Sequence, residues 1–134
     1  MSQENVELAW QMARAWNDGG IDALLEYLDP DVEWHPAAES LEAGTYRRHD
    51  GVRDYVGRLG EVFEEVQIEP LEVIEVDEER VIQVSRWVAG GTKSGMEIDA
   101  EWASLITVGP NKKVVRFETF TDKAQALEAV GLRE

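Results

Sequence analysis

The chain has 134 residues, which fits a single domain over 1–134, and 43% of them are hydrophobic and 31% charged. The 28 acidic and 13 basic residues give a net charge of −15, which argues against nucleic acid and anionic membranes as partners because such a surface repels phosphates. The absence of cysteine excludes disulfides, thiol nucleophiles and cysteine-bound zinc, and the lack of a long apolar run or a secretory signal predicts a cytoplasmic protein.

The N-terminal part of the chain predicts two helices. Apolar residues recur at three- and four-residue steps over 4–17, which indicates the buried face of a helix. The Asn-Asp-Gly-Gly segment that follows ends this helix, because glycine readily adopts a left-handed conformation. Residues 21–28 predict a short second helix that stops before Pro30.

The next segment predicts a short strand, a loop and a third helix. Residues 32–35 alternate between polar and apolar side chains, as a strand does. Residues 36–48 show no period and contain proline, glycine and serine, which indicates a loop. Asp50 is the predicted N-cap of the third helix, whose apolar face extends over 52–66.

From residue 67 onward the hydrophobic period is two, which predicts strands. Short turn-like connections between long strands indicate an antiparallel meander. The predicted strands are 68–77, 80–90, 95–108 and 113–121. A final helix over 123–130 is expected to be capped by Asp122 and to stop at Gly131. The predicted order is α-α-β-α-β-β-β-β-α in one α+β domain.

Several motifs along this order match a known family: Trp16-Asn-Asp-Gly-Gly-Ile-Asp, Asp29-Pro-Asp-Val-Glu-Trp, Ala43-Gly-Thr-Tyr46, Gly51-Val-Arg, Ser94-Gly95 and Ala126-Leu-Glu-Ala-Val-Gly-Leu132. Over nearly its whole length the chain resembles the SnoaL-like group of the nuclear-transport-factor-2-like superfamily. The resemblance implies a cone-shaped fold, in which a strongly curved, mainly antiparallel sheet wraps around three N-terminal helices, with a short C-terminal helix. It also implies an apolar pocket between the sheet and the helices. It leaves the function open, because the superfamily contains isomerases, cyclases, epoxide hydrolases, dehydratases and non-catalytic binding domains.

The resemblance also implies where catalytic groups would lie. Steroid isomerases of the superfamily use an aspartate base, a tyrosine and a protonated aspartate. The base position falls at Trp34 or His35, the tyrosine at Met12 and the second aspartate near Ser104. Met12 cannot donate a hydrogen bond and Ser104 is a weaker donor than a carboxylic acid, so steroid isomerase activity is not expected.

His35 is the candidate acid–base residue if the protein is a cyclase or isomerase, because imidazole titrates near neutral pH. The alternative is a surface histidine that points away from Trp34. His49 is predicted to be exposed to solvent. Glu33, His35 and Glu39 contain one histidine and loosely spaced carboxylates, which does not predict a metal site, and no cofactor is expected.

Charged residues on the predicted strands are assigned to the face away from the pocket. Epoxide hydrolases of the superfamily need an Arg-x-Asp pair on a strand, and the nearest match is Arg116-Phe-Glu118. If the family's strand orientation holds, Phe117 faces the pocket while Arg116 and Glu118 face away, which disfavours that activity. Arg86 and Glu101 are predicted to pair across strands, either lining the pocket or, as we prefer, stabilising the outer face.

Two functional hypotheses follow. In the first, a small apolar or aromatic molecule binds in the pocket, with isomerase- or cyclase-type acid–base chemistry as an extension. The predicted ligand-binding residues are Met12, Trp34, Tyr55, Trp87, Trp102, Ser104, Phe117 and Thr119. In the second, the protein is a non-catalytic homodimerising module with a filled pocket, and apolar residues predicted on the exposed outer face, such as Leu105 and Phe120, form the dimer contact.

Overall fold

A computed structural model describes residues 2–37, 43–90 and 97–132. The helices and strands occur in the order α1 (Ser2–Leu25), β1 (Leu28–His35), β2 (Tyr46–Arg47), α2 (Arg48–Val62), β3 (Glu65–Glu75), β4 (Arg80–Gly90), β5 (Ile98–Val108), β6 (Val114–Phe120) and α3 (Lys123–Ala129). None of these helices is both long enough and apolar enough to cross a membrane. Glu39 and the Ser94-Gly95 motif lie outside the described residues.

The first two predicted helices form one span, α1, that is interrupted at Gly20. This residue has φ 70° and ψ −150°, so the backbone leaves the helical conformation there. Glycine adopts a positive φ without the steric cost that other residues incur, which confirms the predicted break in the Asn-Asp-Gly-Gly segment. The second half of α1 ends at Leu25 rather than at residue 28, because Leu28 already pairs with Val114 at the start of β1.

The six strands form one sheet in the order β2-β1-β6-β5-β4-β3. β1 and β6 are parallel, whereas all the other neighbouring strands in this sheet are antiparallel. The predicted meander from β3 to β6 is confirmed. β2 was not predicted: its two residues lie in the segment expected to be a loop, and they pair with Glu33 and Trp34 of β1.

The sheet has an inner face and an outer face, each with its own hydrophobic cluster. The inner face packs against α1 and α2 and carries residues such as Val81 and Ile106. The outer face packs against α3 and carries residues such as Ile82 and Val84. Because successive strand residues point to opposite faces, the strand registers assign each side chain of the sheet to one face.

The outer-face residues predicted to form a dimer contact are covered within the chain. Leu105 is 5% exposed and belongs to the cluster that contains Leu127 of α3, and Phe120 is partly buried against the same cluster. The prediction that Leu105 is exposed is wrong, because α3 packs on this face. The predicted cap of α3 is confirmed, since the Asp122 carboxylate accepts a hydrogen bond of 2.8 Å from the Gln125 N–H.

Two predictions at the start of α2 are wrong. The helix begins at Arg48, with Arg47 at the N-cap and no capping hydrogen bond from its side chain, so Asp50 lies in the first turn instead of capping it. His49 is half-buried rather than exposed. Its Nε2 donates a hydrogen bond of 2.9 Å to the main-chain oxygen of Leu28, and this bond ties α2 to β1.

Candidate functional site

An apolar cavity lies between the inner face of the sheet and helices α1 and α2. Five of the predicted ligand-binding residues line it, namely Met12, Trp34, Tyr55, Trp87 and Phe117. The rest of the lining is also mostly apolar and comes from α1, α2, β3 and β4. It consists of Ala13, Trp16, Leu24, Val56, Leu59, Val66, Ile68 and Gln83.

The cavity is small in this conformation. The space open to the centre of a water molecule is about 40 Å³. A single water needs roughly 10–15 Å³ measured in this way, so the cavity has room for only a few waters. Drug-sized ligands occupy pockets of roughly 300–1,000 Å³, so the walls would have to move apart to admit a molecule of that size.

A stacked aromatic pair forms one wall. Trp34 and Phe117 lie directly opposite each other on the parallel strands β1 and β6. Their ring centroids are 4.0 Å apart with an interplanar angle of 4°, and each residue is 5% exposed. Tyr55 of α2 approaches the same tryptophan with a centroid separation of 6.3 Å. These contacts pack three aromatic rings together in this wall.

Gln83 is a polar residue of the lining that the sequence predictions missed. It is 5% exposed, and its Nε2 donates a hydrogen bond of 2.6 Å to the main-chain oxygen of Ala9 in α1. Its Oε1 accepts a hydrogen bond of 3.1 Å from Ser85 Oγ. The available signal was the pair of polar residues two apart in a mostly apolar strand, because such spacing places both on one face.

Three predicted ligand-binding residues share the inner face but do not line the cavity. Trp102 and Ser104 lie on β5, and Thr119 lies beside Ser104 on β6. The hydroxyl oxygens of Ser104 and Thr119 are 3.2 Å apart and form a hydrogen bond. The ring of Trp102 is 6.2 Å from the ring of Trp87, which does line the cavity.

His35 lies on the opposite face from the cavity. It follows Trp34 on β1 and pairs with Glu118, whose side chain is on the outer face. Its Nε2 is 3.1 Å from Glu33 Oε1, and its Nδ1 is 3.2 Å from Thr45 Oγ1. This arrangement agrees with the alternative interpretation of a histidine that points away from Trp34, and it separates His35 from any ligand held in the cavity.

Glu33 is the centre of a charged cluster on this outer face. Besides the contact with His35, its carboxylate is 3.0 Å from Arg47 and 4.0 Å from Arg116. The hydrogen bond from His35, followed by the interactions with Arg47 and Arg116, lowers the pKa of Glu33 below its usual value. Arg116 also pairs with Glu118 at 3.0 Å, so this pair points away from the cavity as predicted.

The second charged group of the outer face is formed around Arg86. In the strand register Arg86 lies opposite Glu101, as the sequence predicted. Its guanidinium, however, forms two hydrogen bonds, of 2.8 and 2.7 Å, with Asp99, and Glu69 is 3.8 Å away. These hydrogen bonds lower the pKa of Asp99. Within 2–37, 43–90 and 97–132, no three histidine, aspartate or glutamate side chains are grouped as metal ligands.

The comparison with known families matches residues 10–117 to the SnoaL-like domain. No curated protein matches the chain significantly. Among solved structures, an NTF2-like protein from Burkholderia thailandensis E264 is 27% identical, with a TM-score of 0.75, over 92% of this chain and 95% of that chain.

Two further solved structures have the same fold. TerC, co-crystallised with polyporic acid, is 22% identical over 95% of this chain and 98% of that chain, with a TM-score of 0.76. A candidate SnoaL-like polyketide cyclase from Jannaschia sp. CCS1 is 19% identical over 98% of this chain and 94% of that chain, with a TM-score of 0.71. The segment that matches the family runs from α1 to β6 and includes every strand of the cavity wall. The chain belongs to the SnoaL-like domain family.

Proposed function

We propose that the protein binds a small, neutral aromatic or otherwise apolar molecule between the inner face of the sheet and helices α1 and α2. The composition of the lining carries this proposal. Aromatic and aliphatic side chains surround the cavity, and the amide side chain among the described residues of the lining, Gln83, is hydrogen-bonded to Ala9 and Ser85. Apolar walls with few polar groups are typical of small-molecule sites. Small-molecule binding is also supported by a structural neighbour, since TerC has been co-crystallised with polyporic acid.

A neutral ligand fits the electrostatics of the cavity. None of the described residues that line it carries a charge. An ion buried there would lose its hydration without gaining a partner of opposite sign, which is strongly unfavourable. The net charge of −15 on the chain adds a general repulsion of anions.

Entry of such a ligand requires the cavity to enlarge. We expect α2 to move more easily than the other elements that line the cavity. Val56 and Leu59 of α2 line the cavity, and Gly57 and Gly60 lie beside them in the helix. A Cβ atom added at either glycine would meet no neighbouring atom within 4 Å, so packing does not demand glycine there. Glycine inside a helix lowers its stability by about 1 kcal/mol relative to alanine. We infer that α2 moves outward to admit the ligand.

A cofactor-independent cyclase or isomerase reaction is a second candidate function, favoured by the family and by the likeness to a candidate polyketide cyclase. Among the described residues that line the cavity, Tyr55 alone has a titratable side chain. Acid–base chemistry on a bound ligand would therefore use the Tyr55 hydroxyl.

The small volume of the cavity favours the other hypothesis, a non-catalytic dimerising module with a filled pocket. In that case the aromatic residues serve packing alone, and no ligand stabilises the protein. A homodimer through the outer face would need contacts other than Leu105, which is buried beside α3.

A thermal-shift screen against one- and two-ring aromatic compounds tests the proposal. The Ala13→Leu variant fills the cavity, because Ala13 lines it and is 4% exposed. Ala15→Leu is the matched control on the same helix, outside the lining. A ligand at 100 times its dissociation constant should stabilise the wild type and the control by about 2.7 kcal/mol, and Ala13→Leu much less.

Two outcomes contradict the proposal. If no compound stabilises the wild type, the cavity is a packing feature and the non-catalytic hypothesis is favoured. If a compound stabilises Ala13→Leu as much as the wild type, the ligand binds elsewhere on the protein.

A further inference from the structure

The indole Nε1–H of Trp102 is a buried hydrogen-bond donor that has no partner among the described residues. Buried polar groups in proteins almost always have a partner, since an unpaired donor has lost its hydrogen bond to water without replacing it. A specific unpaired group of this kind calls for an explanation, and a bound ligand is one of the few available.

Trp102 lies next to the cavity. It is on β5, the strand between β4 and β6, and all three strands present residues to the inner face. Its neighbour across the register on β4 is Ser85. The residues before and after Ser85 on that face, Gln83 and Trp87, line the cavity. Trp102 therefore borders the cavity beside Trp87, whose ring centroid is 6.2 Å from its own.

The other polar side chains around Trp102 are paired with one another. Ser85 Oγ donates to Gln83 Oε1 at 3.1 Å. The hydroxyls of Ser104 and Thr119 form a hydrogen bond of 3.2 Å. These four polar side chains thus hydrogen-bond with one another in pairs, whereas the Trp102 Nε1–H has no partner among the described residues.

We propose that Trp102 Nε1–H donates a hydrogen bond to a neutral carbonyl oxygen of the ligand. The inference rests on the proposed small-molecule binding and narrows it to aromatic ketones and quinones. The donor is neutral and no described residue that lines the cavity is charged, so a carboxylate oxygen would remain an uncompensated buried charge. A carbonyl oxygen accepts the bond without bringing a charge or a second donor that needs a partner.

The test compares acetophenone with α-methylstyrene, which has nearly the same shape but carries a methylene group in place of the carbonyl oxygen. Their dissociation constants are measured by calorimetry for the wild type, for Trp102→Phe and for Trp10→Phe. The last is the matched control, because Trp10 lies on α1 and does not line the cavity. The ratio of the two affinities is then compared between the three proteins. This comparison cancels the difference in hydrophobicity between the probes, because that difference is the same for each protein.

We expect the preference for acetophenone over α-methylstyrene to fall about three- to tenfold in Trp102→Phe, the worth of one neutral hydrogen bond, and to stay unchanged in Trp10→Phe. In the wild type, acetophenone should move the Trp102 indole N–H proton resonance downfield, and α-methylstyrene should not. This measurement needs no variant in the binding site, so it decides the question even if Trp102→Phe fails to fold.

The remaining outcomes overturn the inference. In the first of these outcomes both probes bind, the ratio of their affinities is the same in all three proteins, and the indole resonance does not respond to acetophenone. Trp102 is then not the donor, and the proposed binding function still stands. If neither probe binds the wild type, both the inference and the proposed binding of aromatic molecules are wrong.

Discussion

The side-chain amide of Asn17 forms two hydrogen bonds with the main chain of Ile68. Asn17 Nδ2 donates to the Ile68 oxygen at 2.6 Å, and Asn17 Oδ1 accepts from the Ile68 N–H at 2.9 Å. β3 is an edge strand, so Asn17 pairs with backbone groups that would otherwise face outward unpaired. The neighbouring Trp16 Nε1 donates to the Val66 oxygen at 2.8 Å. Together these bonds hold α1 against the edge of the sheet beside the cavity.

Replacing Asn17 by alanine should therefore destabilise the protein. Two main-chain groups of Ile68 lose their partner, and we expect a loss of about 1–3 kcal/mol in the free energy of unfolding, measured by urea denaturation. Asn111→Ala is the control, because Asn111 is exposed and its two hydrogen bonds, of 3.1 Å to Asp29 and 3.3 Å from the Lys113 N–H, lie at the surface. Equal losses in the two variants would show that the Asn17 bonds have no special structural role.

Substitution of Gly57 or Gly60 by alanine should stabilise α2. Neither added Cβ meets a neighbour, so each variant should gain about 0.5–1 kcal/mol in unfolding free energy. If α2 moves outward to admit the ligand, the double variant should also bind aromatic probes more weakly, because the stiffer helix resists that movement.

Gly20→Ala is the contrasting variant, since Gly20 has φ 70°, and it should be destabilised by about 1 kcal/mol. Thermal unfolding of the three single variants and of the double variant, with and without ligand, gives both the change in stability and the change in ligand affinity. Unchanged ligand affinity in the stabilised double variant would exclude movement of α2 as the entry route.

The charged cluster around Glu33 predicts a pH dependence of stability. The folded-state pKa of Glu33 is lowered, first by the hydrogen bond from His35 and then by Arg47. Its stabilising effect is therefore fully present above the ordinary value of 4.5 and is lost as the pH falls through the lower folded-state value.

Glu33→Gln tests this effect. At pH 7 its melting temperature should lie below that of the wild type, and the difference should shrink as the pH falls below 4.5. Glu61→Gln, at an exposed position on α2, controls for the general effect of removing one negative charge. A difference between Glu33→Gln and wild type that stays constant between pH 7 and pH 3 would contradict the assignment.

His35→Ala should leave the affinity for aromatic ligands unchanged to within about twofold, because His35 and the cavity lie on opposite faces of the sheet. Calorimetry with acetophenone provides the measurement, and Ala13→Leu is the positive control for lost binding. A large loss of affinity in His35→Ala would mean that the ligand contacts the outer face, and the site would have to be placed there.

The order of the elements could be predicted because each has a local signal. Alternation identified the four strands of the meander, and Asp122 with Gln125 identified the start of α3. The end of α2 could not be placed by such signals. Val66 fits the helical period of the preceding residues and the strand period of Ile68 equally well, and the sheet decides between them: α2 ends at Val62 and Val66 belongs to β3.

The site was harder to predict than the fold, because it depends on which face each residue takes and on what covers that face. Met12, Trp34 and Phe117, which the resemblance assigned to the pocket, line the cavity, and their role in ligand binding stays a prediction. The exposure of Leu105 could not be judged from its own strand, since α3 comes from later in the chain. Gln83 was missed because polar residues in strands are usually exposed, and its hydrogen bond to Ala9 of α1 is a tertiary contact that the strand sequence does not reveal.

The parallel pairing of β1 with β6 has a consequence for how the protein folds. The stack of Trp34 on Phe117 joins the first strand in the sequence to the last. During synthesis on the ribosome, the tryptophan therefore emerges long before its stacking partner and stays without it until β6 has been made. Contacts between such distant segments form slowly, since the intervening chain must first be ordered or closed into a loop. The aromatic wall of the cavity is thus expected to be among the last parts of the protein to form, and the part most exposed to aggregation before folding is complete.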